Sequence, residues 1–220
     1  ATAKNLDLFR CTGCTRGTMI SLYQRDDCPF CWKTRIAFVE LGLDFNSIPV
    51  GLGETHNDVS TLSPAGTVPV MVDSDLTLWD SRVIVEYIYA HYGANRLHPG
   101  DERLRARVRQ LHVFLDTRAG LGLREVVFER RSRSKALQDP DRIESGLKAW
   151  RECQAWLERN WLHDSEYNAA DCALAARLGV AEAYGAGVSR EYPGLYARFE
   201  QLKQRSSWSL AYPENFIEPR

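Results

Sequence analysis

No run of apolar residues in this chain approaches the roughly 18 that a membrane-spanning helix needs, so no membrane partner is expected. A dominant charge sign is missing too: 28 Lys+Arg stand against 29 Asp+Glu among 220 residues, a formal net charge of −1. No global field therefore draws the chain to nucleic acid or to an anionic surface, and nucleic acid is not an expected partner. Lysine is scarce, 5 against 23 arginines, a bias that reads as genome composition rather than function. No internal repeat and no low-complexity segment interrupts the chain. Residues 1–18 carry charges and have no apolar core of the secretory kind; they stand as a leader or an extension ahead of Met19. Six cysteines in a chain of this size do not make a secreted disulfide framework. They suggest a reducing, cytoplasmic compartment, where a close pair is more often catalytic or metal-binding.

The elements that are present fall into two halves. "MISLYQ", 19–24, is a short β-rich run, and "CPFC" follows it directly. In "WKTRIAFVELGL", 32–43, apolar residues recur at helical spacing and Gly42 sits where a helix would stop. "DFNSIPV", 44–50, reads as a second strand, and 51–66 as a mixed polar stretch with a helical turn or two. "TVPVMVDSDLTLWD", 67–80, reads as two strands around a tight turn at Asp73, Ser74 and Asp75. "DSRVIVEYIYAHYG", 80–93, is a helix with Asp80 or Ser81 as its cap and Gly93 at its end. The order is β-α-β, a variable segment, then β-β-α. No convincing strand appears between 100 and 205. Long helices are expected from 101 to 131, weakened at Gly120 and Gly122, and at 139–162, 168–187 and 193–205. The boundary is expected near 94–100, in "ANRLHPG".

Chemistry concentrates in "RDDCPFCWKTR", 25–35. With Cys28 at the start of a helix, the first amides point at its sulfur and the helix dipole favours a negative charge. Both lower the thiol pKa, and the thiolate is the nucleophile. Pro29 falls in the first turn, where its missing N–H costs nothing. Cys31 lies one turn along, placed to attack a mixed disulfide at Cys28. Asp26 and Asp27 should raise the pKa of Cys28, and Lys33 and Arg35 should lower it. Two other readings compete: a zinc half-site, and small buried residues with no chemistry. Cys11 and Cys14 form a second C-x-x-C, 13 residues before Cys28, and four thiolates can build a tetrahedral zinc site. Against zinc, the second pair would open an amphipathic helix rather than sit in a free knuckle, so no metal is expected. Cys153 and Cys172 lie on apolar helical patterns and read as core.

The first half, with C-P-F-C between its first strand and first helix, resembles the thioredoxin fold of glutaredoxins. "SPAGTVPVM", 63–71, is similar to the segment around the cis-proline of glutathione S-transferases. "LTLWDSRVIVEYI", 76–88, is similar to the acidic-Ser motif that opens their third helix, and "NAADCALA", 168–175, to the capping box of their helical-domain core. The resemblance to that superfamily covers roughly residues 19–205. It implies an α+β thioredoxin-like domain (19–94) followed by an all-α domain (100–220), the glutathione S-transferase fold. It implies glutathione as cosubstrate, held by Phe30, Val68, Pro69, Asp80 and Ser81. The Val68–Pro69 bond would be cis, and the Val68 backbone would pair with the cysteinyl unit. Ser81 would take the γ-glutamyl carboxylate at a helix N-terminus, and Asp80, where the family usually has Glu, the ammonium. Asp171 would close a capping box with Asn168.

Members with a Cys nucleophile, similar to the omega and beta classes and the two-domain glutaredoxins, mainly reduce mixed disulfides or dehydroascorbate. That implies Cys28 as nucleophile, Cys31 as resolving thiol, Tyr23 as packing, a small electrophilic or disulfide substrate, and a homodimer. The second substrate would lie against the 100–130 helix, where Arg107, His112 and Phe114 are candidates. No Lys occurs between Lys33 and Lys135, so the lysine that some omega-like members place before the cis-proline has no match. A second resemblance, of "VDSDLTLWDSRVIVEYI", is to stringent starvation protein A. It implies a non-catalytic regulator bound to RNA polymerase, and the cysteine pair at the helix start argues for the enzyme instead. Arg124, Arg130, Arg131, Arg133 and Lys135 read as a solvated helix end or loop.

Overall fold

Burial alternates along the first strand, β1 (Ile20–Gln24), with Ile20, Leu22 and Gln24 turned inward. In this computed structural model residues 19–51, 57–93, 97 and 101–214 are described. Cys28, extended at φ −81° and ψ 122°, caps helix α1 (Pro29–Leu41). Gly42, at φ 66°, ends it, its own amide donating to the Val39 carbonyl and the amide of Leu43 to that of Phe38 (both 3.0 Å). The helix carries the chain back, so β2 (Phe45–Pro49) pairs parallel to β1, Ile20 opposite Phe45. A short helix, α2 (Asn57–Leu62), precedes β3 (Val70–Asp73) and β4 (Leu76–Trp79). Both of these pairings are antiparallel, and Asp73 opposite Leu76 leaves a two-residue turn with Ser74 at φ 57°. The sheet order is β2-β1-β3-β4. Helix α3 (Ser81–His91) follows. This is the β-α-β-β-β-α order, with one intervening helix, that the thioredoxin resemblance implies.

The two faces of the sheet are covered unequally. Leu22 and Met71 pack with Trp32, Ile36 and Phe38 of α1 and Ile84 and Ile88 of α3 in the main core. On the other face Val70 joins only Val50 and Val59, with Tyr23, Leu62 and Val68 partly buried beside them. Tyr23 is thus a packing residue, as expected.

The rest of the described chain is helical. Helix α4 (Glu102–Phe114) is capped by Asp101, whose carboxylate accepts from the amides of Arg103 and Leu104. It runs through a π-helical turn, Leu115–Ala119, into α5 (Gly120–Ser132). A 3₁₀ turn, Lys135–Leu137, leads to α6 (Pro140–Asn160), capped by Asp139 with Pro140 in its first turn. Helix α7 (Ala169–Ala183) is buried on every face through Ala181 and opens with the expected Asn168–Asp171 capping box. Arg198 of α8 (Pro193–Lys203) adds an ion pair to Asp171 at 2.7 Å. The irregularity expected at Gly120 and Gly122 lies just before them. The glycines are packing contacts instead: a Cβ on Gly122 would sit 3.2 Å from the Ala149 carbonyl oxygen of α6. Cys172 is buried, as expected; Cys153 is only partly so, its thiol 3.6 Å from the Arg118 carbonyl oxygen.

Sequence periodicity does not mark the last helix, α9 (Ser206–Ala211), which is short and serine-rich. It packs on α1: the Arg35 Nε donates to the Ala211 carbonyl at 3.2 Å, and Trp208 lies 5.0 Å from Trp32 between ring centres. The halves also meet closely at Gly179 of α7, where a Cβ would fall 2.3 Å from the Trp32 ring. The expected boundary at 94–100 lies outside the described residues except for Leu97, which is buried. Among the described residues no helix is long and apolar enough to cross a membrane.

Candidate functional site

Cys28 ends the loop between β1 and α1 as the N-cap residue of α1, where the Cys31 thiol and the first amides of the helix, those of Phe30 and Cys31, favour its thiolate. The Cys31 bond does most to bring the Cys28 pKa down to about 6; burial opposes it, and the charge of Arg25 assists. Cys31 goes the other way. Burial first, then the bond to Cys28 and the charge of Cys28, push its thiol up, although it also accepts the Arg25 amide at 3.4 Å. The pair is thus split into a thiolate and a thiol that donates to it.

The expected tug between neighbouring charges is resolved by pairing. Asp27 lies between Arg25 (2.8 Å) and Arg131 of α5 (2.6 Å). Asp26 pairs with Arg35 at 3.4 Å. Lys33 does not face Cys28: it is buried against Asp116 and lies 2.8 Å from His112 Nε2. Burial lowers the Lys33 pKa to about 8, against the pull of Asp116, and drives His112 well below its ordinary value. The cation that acts most on Cys28 is Arg25; Arg35 also feels its charge, while Lys33 is turned to Asp116. Arg35 acts on Cys31, where burial outweighs it.

A cleft of about 1000 Å³ opens over Cys28. Phe30, Val68, Pro69, Asp80 and Ser81 line it with Cys28, while Cys31 lies behind the wall, fully buried. The Val68–Pro69 bond is cis. Asp80, at φ 69°, caps α3 through the Arg82 amide (2.8 Å), and its carboxylate also accepts from the Arg82 side chain at 3.2 and 3.0 Å. Partial burial pushes the Asp80 pKa up, and these bonds outweigh it to hold the carboxylate below its usual range.

The opposite wall belongs to α5 and α7: Leu121, Arg124, Val127 and Phe128, then Arg177, Val180 and Tyr184. This corrects the second-substrate candidates on α4. Arg107 donates to Asn160 at 3.1 Å, Phe114 stacks on Trp156 with ring centres 4.0 Å apart, and His112 is buried beside Lys33. The solvated reading of the basic cluster suits Arg133 and Lys135, both exposed. Arg131 instead pairs with Asp27, Arg130 donates to the Tyr184 carbonyl, and Arg124 faces the cleft. Residues that sequence reasoning missed are Arg25, Asp116 and Arg177. A signal existed for Arg177, a lone arginine within the apolar run of α7. Cys11 and Cys14 lie outside the described residues, and among the described residues no cluster suited to a metal is found.

A mixed four-stranded sheet with a cysteine-capped helix, joined to a helical bundle across such a cleft, is the thioredoxin-like plus all-α architecture of glutathione S-transferases. Residues 22–96 match the family described as Glutathione S-transferase, N-terminal domain. The chain is 26% identical over 197 residues to Glutathione S-transferase 1 of Manduca sexta, covering 84% of this chain and 88% of that protein. It is 25% identical over 167 residues to the Stringent starvation protein A homolog of Haemophilus influenzae, covering 74% and 76%. A glutathione S-transferase from Methylobacillus flagellatus KT, solved with GSH bound, matches with a TM-score of 0.74 at 26% identity, over 88% of this chain and 99% of that one. The likeness to the glutathione S-transferase superfamily, and to stringent starvation protein A within it, thus holds.

Proposed function

We propose that the protein is a glutathione-dependent thiol–disulfide oxidoreductase with Cys28 as its nucleophile. The observation that carries this reading is the position of Cys28, the N-cap residue of α1 in the wall of an open cleft, with surroundings that lower its pKa to about 6. The glutathione S-transferase relatives support the choice of glutathione. The α3 N-terminus with Ser81 offers amides to the γ-glutamyl carboxylate, the Val68 backbone offers strand-like pairing to the cysteinyl unit, and Asp80 shares its carboxylate between Arg82 and the ammonium.

In the proposed cycle the Cys28 thiolate attacks the glutathione-side sulfur of a mixed disulfide, R–S–S–G. That S–S bond breaks, and the R-thiolate leaves and takes a proton from water. Cys28 now carries glutathione in disulfide linkage. The thiolate of a second glutathione attacks the bound glutathionyl sulfur, oxidised glutathione leaves, and the Cys28 thiolate returns. The sum is RSSG + GSH → RSH + GSSG, with glutathione supplying both electrons. Cys31, kept protonated, stabilises the thiolate at both ends of the cycle rather than resolving the adduct. The reading also takes the protein as a cytoplasmic homodimer.

The test is turnover of a glutathione mixed disulfide, followed through oxidised glutathione. Cys28→Ser should reduce it to the uncatalysed rate, and retained activity would end the assignment. The similarity to stringent starvation protein A favours a second reading, a non-catalytic partner of RNA polymerase. A wild-type protein that shows no turnover and is recovered bound to polymerase would establish that reading instead.

A further inference from the structure

Among the described residues Arg177 is a buried cation with no carboxylate in ion-pair contact. It is 6% exposed, in the middle of α7, and its buried Nε has no hydrogen-bond partner among the described residues. The other buried basic residues are paired: Lys33 with Asp116, Arg35 with Asp26. The Arg177 guanidinium lies instead against the bare face of Gly120, where a Cβ would come within 3.1 Å of it, and 5.3 Å from the centre of the Phe30 ring. Asp116 and Cys28 are the negative charges that it senses, both weaker in effect than its burial. Holding a desolvated guanidinium without an ion pair is costly, and the cavity that it faces is the one over Cys28. A second cation, Arg124, with no ion pair among the described residues, stands on the same wall, over the Phe128 ring at 5.3 Å. Beside these charges two apolar side chains stand open, Leu121 61% and Phe128 50% exposed, and Asp116, paired with Lys33, also lines the cleft.

We propose that the α5–α7 side of the cleft binds the non-glutathione half of the substrate, and that this half is an organic acid whose carboxylate pairs with Arg177. The apolar lip of Leu121 and Phe128 takes its hydrocarbon part. The inference rests on the oxidoreductase reading and gives it a substrate class. An oxyanion at Arg177 completes the missing ion pair in a two-pronged geometry that guanidinium groups favour. Cys28 lies between this pocket and the glutathione wall, so a mixed disulfide of glutathione and a thiol-bearing acid would span both with its S–S bond over the thiolate.

Inert thioether conjugates test this on the wild-type protein by calorimetry. S-(3-carboxypropyl)glutathione is compared with its carboxamide isostere, and hexanoate with hexanamide, ligands that contain no glutathione. S-methylglutathione serves as the reference for the glutathione wall. The carboxylate should bind about tenfold or more tightly than the amide in both pairs. In Arg177→Gln the ratio should fall to near one, and Arg177→Lys should restore part of it; unchanged melting temperature and S-methylglutathione affinity report that the fold is intact. Equal affinity of acid and amide for the wild type would overturn the proposal. So would an equal loss for S-methylglutathione in Arg177→Gln, which would assign Arg177 to a carboxylate of glutathione itself. If S-methylglutathione does not bind while hexanoate still outcompetes hexanamide, the anion site stands and the glutathione reading fails.

Discussion

Removing one sulfur should raise the pKa of its neighbour. Cys31 supplies the largest of the influences that bring Cys28 down to about 6, so Cys31→Ala deletes a hydrogen bond to a charged group. Such bonds contribute about 1.5–3 kcal/mol, or roughly one to two pKa units, which places Cys28 in the variant at about 7–8. At pH 7 the thiolate fraction would fall from about 0.9 to between about 0.5 and 0.1, a loss of roughly two- to tenfold in alkylation rate. The assay is the pH dependence of iodoacetamide labelling at Cys28, mapped by peptide mass spectrometry. Cys31→Ser, which keeps a donor, should shift the midpoint less. Linkage gives an independent check. Cys28 is depressed from 9.0 in the folded state, so its stabilisation is present above that pH and is lost as pH falls through about 6. The stability advantage of wild type over Cys31→Ala that comes from this bond should therefore vanish below that point. A labelling midpoint that stays put in Cys31→Ala would refute the Cys31 bond as the cause of the low pKa.

Two contacts that join the halves make further predictions. Lys33→Met leaves Asp116, with 8% of its side chain exposed, to Arg82 at 3.7 Å and to His112, 3.8 Å away and held well below its ordinary pKa by burial; denaturant unfolding should show a loss of about 3–5 kcal/mol, largely recovered in Lys33→Met/Asp116→Leu. A double variant as unstable as the single would show that the pair does not carry the coupling. Gly179→Ala drives a Cβ to 2.3 Å from Trp32 and 2.7 Å from Trp208 and should cost about 1–3 kcal/mol in thermal unfolding; an unchanged melting temperature would mean that the two rings yield freely.

Much of the Cys28 side of the cleft was legible because local chemistry dictates it. Pro29 after Cys28 and Gly42 at the far end bracket α1, and Asp80 with Ser81 opens α3. Asn168 with Asp171 opens α7 in the same way. The facing wall was not legible. The sequence pattern reads 101–131 as one helix, where the structure has α4, a π turn at Leu115–Ala119 and α5, and which part of it faces the cleft is set by tertiary packing, so Arg107, His112 and Phe114 were named where α5 lines the wall. Pairings across the chain were equally hidden. Nothing near Asp27 in sequence announces Arg131, so the two carboxylates beside Cys28 read as opponents of the thiolate when they are in fact neutralised. Arg177 was visible only as an oddity among alanines, and that its buried Nε has no hydrogen-bond partner among the described residues is a property of the tertiary fold.

The account turns on where glutathione attaches. Intact and peptide mass spectrometry after exposure to a glutathione mixed disulfide, without free glutathione, reads this directly. A single glutathione adduct should form on Cys28 and be removed by free glutathione, with none in Cys28→Ser. An adduct that forms on another cysteine, or a wild-type protein that takes up none, would contradict it.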